Sequence, residues 1–282
     1  MVSRAGVLTF YGVKGGTMFR IRGRLLMVAG SLCFFASVAR AENLTLAVHP
    51  VLSPDETRRT YQPLADYLKR KTGHHVQIAT STNFLVHWQL TKRGQHALIL
   101  EGPHMVDYRL KKMGYSLLAK FPEVISYTLV AHPDLPVLEA ADLVGKPVAT
   151  LPAPSLGAVR LNQLFPNPLR QPVLVEVDDM EAAIQRVLQG KAAGAIIPSA
   201  MVGRFPEVNT IATTDQAPAP GITAAPWVSD ATKKAIRDAL LATATDPDAK
   251  PMLQALKIGA IEDAATAQFD GYARLLEGMW GY

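Results

Sequence analysis

The sequence predicts an α/β protein of two lobes with a ligand cleft between them, carried behind an export signal. Three observations predict it. Strand and helix alternate three times between Leu44 and Gly114. The same alternation resumes at Val148 and runs to Ile197. Extended, proline-bearing segments separate and follow the two blocks. Repeated strand–helix units imply a parallel sheet with helices on its faces, and two such units joined by extended chain imply a cleft.

The elements follow in order. Leu44–Val48 is a short apolar strand closed by His49-Pro50. Ser53 as N-cap, Pro54 at the first helical position and Glu56 three residues after the cap form a capping box. The helix continues with Tyr61, Leu64, Ala65 and Leu68 on one face and stops at Gly73. Val76–Thr80 is the second strand, Phe84–Lys92 a helix, and Ala97–Leu100 a third, buried strand. Glu101-Gly-Pro-His104 breaks that strand, and a helix follows to Lys112. Tyr115–Lys120 and Ile125–Ala131 read as strands, and His132–Pro136 as a linker.

In the second block, Val148–Leu151 is a strand and Ser155 opens a helix to about residue 165. Val173–Val177 is a strand. Asp178 or Asp179 caps a helix whose apolar face is Met180, Ala183, Ile184, Val187 and Leu188. Ala193–Ile197 and Asn209–Ala212 are strands, Ile222–Trp227 is extended, Ser229 caps a further helix, and Asp246-Pro247 begins a helical tail. Ligands in open α/β sheets sit beyond the carboxyl ends of strands, against helix N-termini. The candidate mouths are therefore 49–55, 80–84, 101–105, 155–157 and 178–180. A serine at a helix start is an ordinary cap and equally a place to hold an anion, so Ser155 carries both readings.

Arg4, Lys14, Arg20, Arg22, Arg24 and Arg40 precede the first acid, Glu42. The apolar run Leu25–Val38 and then Ala39-Arg-Ala41 complete a secretory signal peptide cleaved after Ala41. Met18 sits where such a peptide starts, so residues 1–17 read as an over-extended start. The run is short for a membrane span. Taking those six charges from the net +5 leaves −1 for the mature chain, so the high pI belongs to the leader and no nucleic-acid surface is implied. The single cysteine, Cys33, leaves with it, and Leu32 before it is a poor lipoprotein match. Without disulfides the core must suffice, and the 241 residues that remain after 41 of 282 are removed are enough for one large domain or two lobes. The expected division is 42–128 with 222–282 as the first lobe and 129–221 as the second.

Catalytic signatures are missing: no Gly-x-Ser-x-Gly elbow, phosphate loop, His-Glu-x-x-His or dinucleotide fingerprint occurs. His74-His75 are neighbours in a strand start, and their rings point to opposite faces. His87-Trp88 reads as a helix face. His49, Glu101 and His104 all stand at strand ends, and two imidazoles with a carboxylate would suit zinc or a similar cation. They are the alternative, metal-binding set. No catalysis and no cofactor are expected.

Several segments fall in an order that resembles a known family: 61–73 (YQPLADYLKRKTG), 96–108 (HALILEGPHMVDY), 125–134 (ISYTLVAHPD), 138–150 (LEAADLVGKPVAT) followed by Ser155-x-Gly157, and 182–197 (AAIQRVLQGKAAGAII). This resembles the periplasmic binding proteins for phosphonate, phosphite and phosphate that feed ABC transporters, of the type II periplasmic-binding fold. The resemblance covers nearly the whole mature chain. It implies that the Ser155 helix start donates hydroxyl and N–H groups to a phosphoryl group. The implied ligand-binding set is Ser155, Leu156, Gly157, Ser81, Thr82, Asn83, Glu101, His104, Tyr127 and Asp178. The implied partners are a small oxyanion and an inner-membrane permease, for a monomeric periplasmic protein that closes about a hinge. A sensory binding protein coupled to a membrane kinase, or a binder of a metal ion or another oxyanion, would use the same fold. The chain departs from the family in keeping a single hydroxyl residue before its glycine, in Glu101 at a commonly neutral or tyrosyl position, and in Asp178 or Asp179 where a histidine is common.

Overall fold

The computed structural model describes residues 41–279; the export signal expected from the sequence lies outside the described residues except for Ala41. The first sheet contains β1 (Asn43–Val48), β2 (His75–Ala79), β3 (Leu98–Glu101), β4 (Ser116–Lys120) and β12 (Gly221–Ala224), in the order β2-β1-β3-β12-β4. The second contains β6 (Tyr127–Ala131), β7 (Pro147–Thr150), β8 (Val173–Glu176), β9 (Gly194–Pro198) and β10 (Asn209–Thr213), in the order β10-β6-β9-β7-β8. Read from β2 and from β8, the two orders correspond strand for strand, with β12 and β6 in the same place. Two short strands, β5 (Val124–Ile125) and β11 (Ala217–Pro218), pair antiparallel with each other where the chain passes from one sheet to the other and back.

The sheets are mixed rather than wholly parallel. In the first, β12 runs antiparallel to both β3 and β4; in the second, β6 runs antiparallel to both β9 and β10. The reason is topological. Each of these strands arrives from the other side of the crossing, not through a helical crossover, so it enters its sheet in the opposite sense. The stretch expected as one strand from Ile125 to Ala131 is broken at Ser126: Ile125 pairs with Ala217 in the crossing ribbon, whereas Tyr127 pairs with Pro198 in the second sheet.

The helices begin as their caps dictate. Ser53 accepts from Glu56 N at 3.3 Å ahead of α1 (Pro54–Thr72), which ends on Gly73 at φ 75°. Asn83 caps α2 (Phe84–Lys92), Ser155 caps α4 (Leu156–Leu164) and Ser229 caps α6 (Asp230–Leu241). Of the two candidates ahead of α5 (Met180–Leu188), Asp179 is the cap, accepting from Ala182 N at 2.7 Å. Two α-helices among the described residues start without a side-chain cap: α3 (Pro103–Lys112) on Gly102 and the last helix, in the tail, on Ala249. The tail contains α7 (Lys250–Leu256) and then 3-10 turns over 266–269 and 272–276.

Two apolar cores result. The first packs Leu64, Leu68 and Tyr67 of α1 against Leu46 and Leu98 of the sheet and Ile236 of α6, and the Tyr67 hydroxyl donates to Ala239 O at 2.9 Å. The second is built on Leu129, Val148, Ile184 and Ile196, and it also takes in Phe84 and Met105 from the first block. A Cβ on Gly194 would stand 2.7 Å from Val130 O, a backbone atom that cannot swing away. Gly194→Ala is therefore expected to cost about 1–3 kcal/mol as an overpacked contact. That corresponds to a fall in melting temperature of several degrees in a chain of this length, measured by calorimetry.

Candidate ligand-binding site

A cavity of about 640 Å3 opens where the two blocks face one another. The α2 cap Asn83 and Leu85 and Trp88 of α2 wall it on one side. On the other are Pro152, Ala153 and Pro154, which lead into α4, and Glu176 at the end of β8 with Val177 and Asp178 after it. Gly278 and Met279 of the tail form a third side. Two of the five mouths inferred from topology, around residues 80–84 and 178–180, thus reach the cavity directly. A third, 155–157, lies immediately behind its Pro154 wall.

The α4 start is built tightly. Ser155 is buried, its hydroxyl donates to Leu151 O at 3.2 Å and accepts from Ala158 N at 3.2 Å, so the side chain is engaged within its own turn. Gly157 lies under the Tyr127 ring: a Cβ there would sit 3.1 Å from Tyr127 Cε1 and 3.7 Å from Met180 Cε. Tyr127 and Leu156 belong to the same buried cluster, and burial pushes the Tyr127 phenol up to about 12. Ser81 is buried, and Thr82 and Asn83 are exposed. Asn83 Oδ1 serves as the α2 cap, and the residue is part of the cavity lining. Because Asp179 does the capping, the exposed Asp178 carboxylate is left to line the cavity.

Glu101 is not on that lining. It is 1 % exposed, and Arg109 grips both oxygens, Nε to Oε1 at 2.8 Å and one terminal nitrogen to Oε2 at 3.1 Å. That nitrogen also donates to Thr91 Oγ1 at 2.6 Å, and His87 Nε2 stands 3.5 Å from Oε2. Burial pushes the Glu101 carboxyl up, but the Arg109 guanidinium and His87 together outweigh it and hold it well below the usual carboxylate range. The carboxylate read from sequence as a cleft or metal ligand is thus a partner in an internal ion pair. Consistently, among the described residues no group of three or more His, Cys, Asp or Glu side chains is placed to hold a metal ion. His49 lies edge-on to Phe84 at 6.3 Å. His104 shares a 2.8 Å hydrogen bond between its Nε2 and Pro154 O, joining the start of α3 to the loop before α4. Burial pushes its imidazole down to about 4.

Residues that the sequence did not single out complete the site. Trp88 was read as part of a helix face; here it walls the cavity, with the Arg109 guanidinium 4.7 Å from its ring centroid. Glu176, Leu85 and Met279 carry no local signature, since only the fold brings them together. The charged groups of the lining are two carboxylates, Glu176 and Asp178, among the described residues.

The family model for the periplasmic substrate-binding protein of phosphonate ABC transporters matches residues 46–269. The chain belongs to that family. It is a family of transport receptors, not of enzymes. Among solved structures, PhnD1 of Prochlorococcus marinus in complex with methylphosphonate superposes with a TM-score of 0.73 at 11% identity, covering 83% of this chain and 96% of that one. A binding-protein component of a phosphonate ABC transporter from Pseudomonas aeruginosa gives 0.72 at 12% identity, covering 84% and 86%. A Xanthomonas citri protein bound to ATP gives 0.71 at 13%, covering 86% and 100%. At these identities the likeness is one of fold: the two-lobed type II periplasmic-binding architecture. Among curated protein sequences none matches the chain. No helix among the described residues is long and apolar enough to cross a membrane.

Two outcomes follow from the buried network. Glu101→Gln leaves Arg109 buried without its counter-charge and is expected to cost about 3–5 kcal/mol in urea unfolding. For acid, both shifts have the same sign. His104 takes up a proton in the unfolded chain near 6.5 but in the folded one only at about 4, so its contribution, present above 6.5, is lost as pH falls toward 4. The Glu101 contribution, present above the ordinary carboxylate range, is lost below it. The melting temperature should therefore be level above pH 7 and fall steadily below 6.5, with the upper part of that fall flattened in His104→Phe.

Proposed function

We propose that this chain is an exported, monomeric periplasmic receptor that closes its two lobes about the β5–β11 crossing on a small phosphorus oxyanion and presents it to the permease of an ABC transporter. The observation that carries the reading is the cavity between the two blocks, bounded on one side by the segment leading into α4 and on the other by the start of α2. Family membership supplies the transporter. The lobes of the proposal are the two sheets with their helices, and the His104–Pro154 contact is a bond that opening would break.

At the cradle, Ser155 acts as the cap that orients the first turn of α4, and the backbone N–H groups of Leu156 and Gly157 are the donors offered to the oxyanion. Tyr127, packed on Gly157, and Ser81, Thr82 and Asn83 at the start of α2 complete the surroundings. The carboxylates of Glu176 and Asp178 favour a second reading within the same function: a ligand of low net negative charge, with a cationic group turned toward them.

A thermal-shift screen of residues 42–282 tests both. The panel is phosphate, phosphite, methylphosphonate, longer alkylphosphonates, aminoalkylphosphonates and plain alkylamines. A ligand at a hundred times its Kd stabilises the fold by about 2.7 kcal/mol, a rise of several degrees. A response to phosphorus oxyanions supports the first reading and one restricted to the amino-bearing members the second. Silence from all phosphorus compounds overturns the oxyanion assignment. Under the first reading Asp178→Asn should tighten an anionic ligand by about 0.2–1 kcal/mol, the range of an exposed charge interaction; isothermal titration reads it.

A further inference from the structure

We propose that cleavage after Ala41 frees an α-amino group on Glu42 for which the fold provides a receptor, the Nδ1 atom of His74. The compact unit begins at Ala41, which is exposed, so the 41–42 peptide bond lies at the surface. One residue on, Glu42 is held through all three of its polar groups. Its backbone nitrogen donates to His74 Nδ1 at 3.1 Å, and its carbonyl accepts from His75 N at 2.9 Å. Its side chain accepts from Thr232 Oγ1, at the start of α6, at 2.9 Å. His74 is itself buried, 5 % exposed, and its own backbone N–H donates to Thr72 Oγ1 at 3.2 Å. A buried imidazole whose Nδ1 faces a donor-only nitrogen presents its lone pair there and carries its ring proton on Nε2.

This arrangement suits the processed chain better than the precursor. Hydrolysis by a leader peptidase breaks the Ala41 C–N bond: the oxygen of water joins the Ala41 carbonyl carbon, which leaves with the leader as a carboxylate, and the nitrogen of Glu42 takes up protons to become an ammonium. That nitrogen remains a pure donor, so the bond to His74 survives and becomes charge-assisted, the stronger kind. Two remaining protons face solvent at the exposed end. Cleavage elsewhere would leave an ordinary amide at this position. The inference is independent of which ligand the cleft takes.

The test begins with N-terminal sequencing of the protein exported from cells carrying the full precursor, with Glu42-Asn-Leu expected. Two purified chains are then compared, one starting at Glu42 and one carrying Gly-Ser ahead of Ala41. The Glu42 chain should melt about 2–4 °C higher, the shift expected when one hydrogen bond becomes charge-assisted in a chain of this length. The gap should vanish in His74→Leu and survive in part in His74→Gln, which keeps an acceptor. Should His74→Leu fail to fold, the rate of acylation of the α-amino group decides instead: it should be several-fold slower for the Glu42 chain than for the extended one. A different N-terminus, equal melting of the two chains, a gap unchanged in His74→Leu, or equal acylation rates would each overturn the proposal.

Discussion

The structure depends on the chain crossing twice between its sheets. β12 lies between β3 and β4, and β6 lies between β9 and β10, so neither sheet is complete without a strand that arrives through the crossing. A hydrogen-bonded strand in the middle of a sheet cannot be removed without orphaning ladder groups on both sides. The two blocks are therefore tied at one edge, where β5 and β11 run side by side, and again by the tail, which packs on α3 and on the second core. Close packing at the return strand reinforces this: a Cβ on Gly221 would approach Val106, Leu117 and Phe269 within 3.3 Å. The strand ends and helix starts on the two sides then face each other across the cavity.

The Glu101–Arg109 pair decides the electrostatics of that space. Placed at the end of β3, an unpaired carboxylate would project a negative charge toward the first lobe's mouth. Arg109, from one turn before the end of α3, cancels it internally; Thr91 Oγ1 and Met113 Sδ accept from the guanidinium, and His87 Nε2 stands 3.5 Å from the carboxylate. A buried pair offsets its desolvation only when the contact is close and hydrogen-bonded, as the two-point grip of Arg109 on Glu101 is. What remains at the cavity is the weaker charge of two exposed carboxylates, the helix starts, and the apolar faces of Leu85, Trp88 and Met279. The tail that supplies Met279 is anchored by Ala273 N donating to Asp107 Oδ2 at 2.8 Å, and Tyr272 carries the Arg160 guanidinium 6.0 Å from its ring centroid. A wall of the cavity thus comes from the end of the chain.

Helix starts were the most legible feature of the site. Ser53, Ser155 and Ser229 all cap as their spacing predicts, because capping is a contact between a side chain and an amide two or three residues on. The same locality limits what the spacing can say. It could not tell whether Asp178 or Asp179 caps α5. That choice settles which carboxylate reaches the cavity. Nor could it reveal that the hydroxyl of Ser155 is already engaged by Leu151 and Ala158.

The sequence by itself determined the class of fold, the alternation of elements, the positions of the caps and the family, because each rests on interactions within a few residues or on periodicity along the chain. The tertiary structure alone decided the antiparallel strand in each sheet, the break at Ser126, the burial of Glu101 and the gathering of Trp88, Glu176, Asp178 and Met279. Those depend on partners distant along the chain. Arg109 silences Glu101 because α3 folds back beside β3, and Met279 shares a cavity with Asp178 because the tail recrosses to the second lobe. Such meetings are set by packing, and no local pattern of residues encodes them.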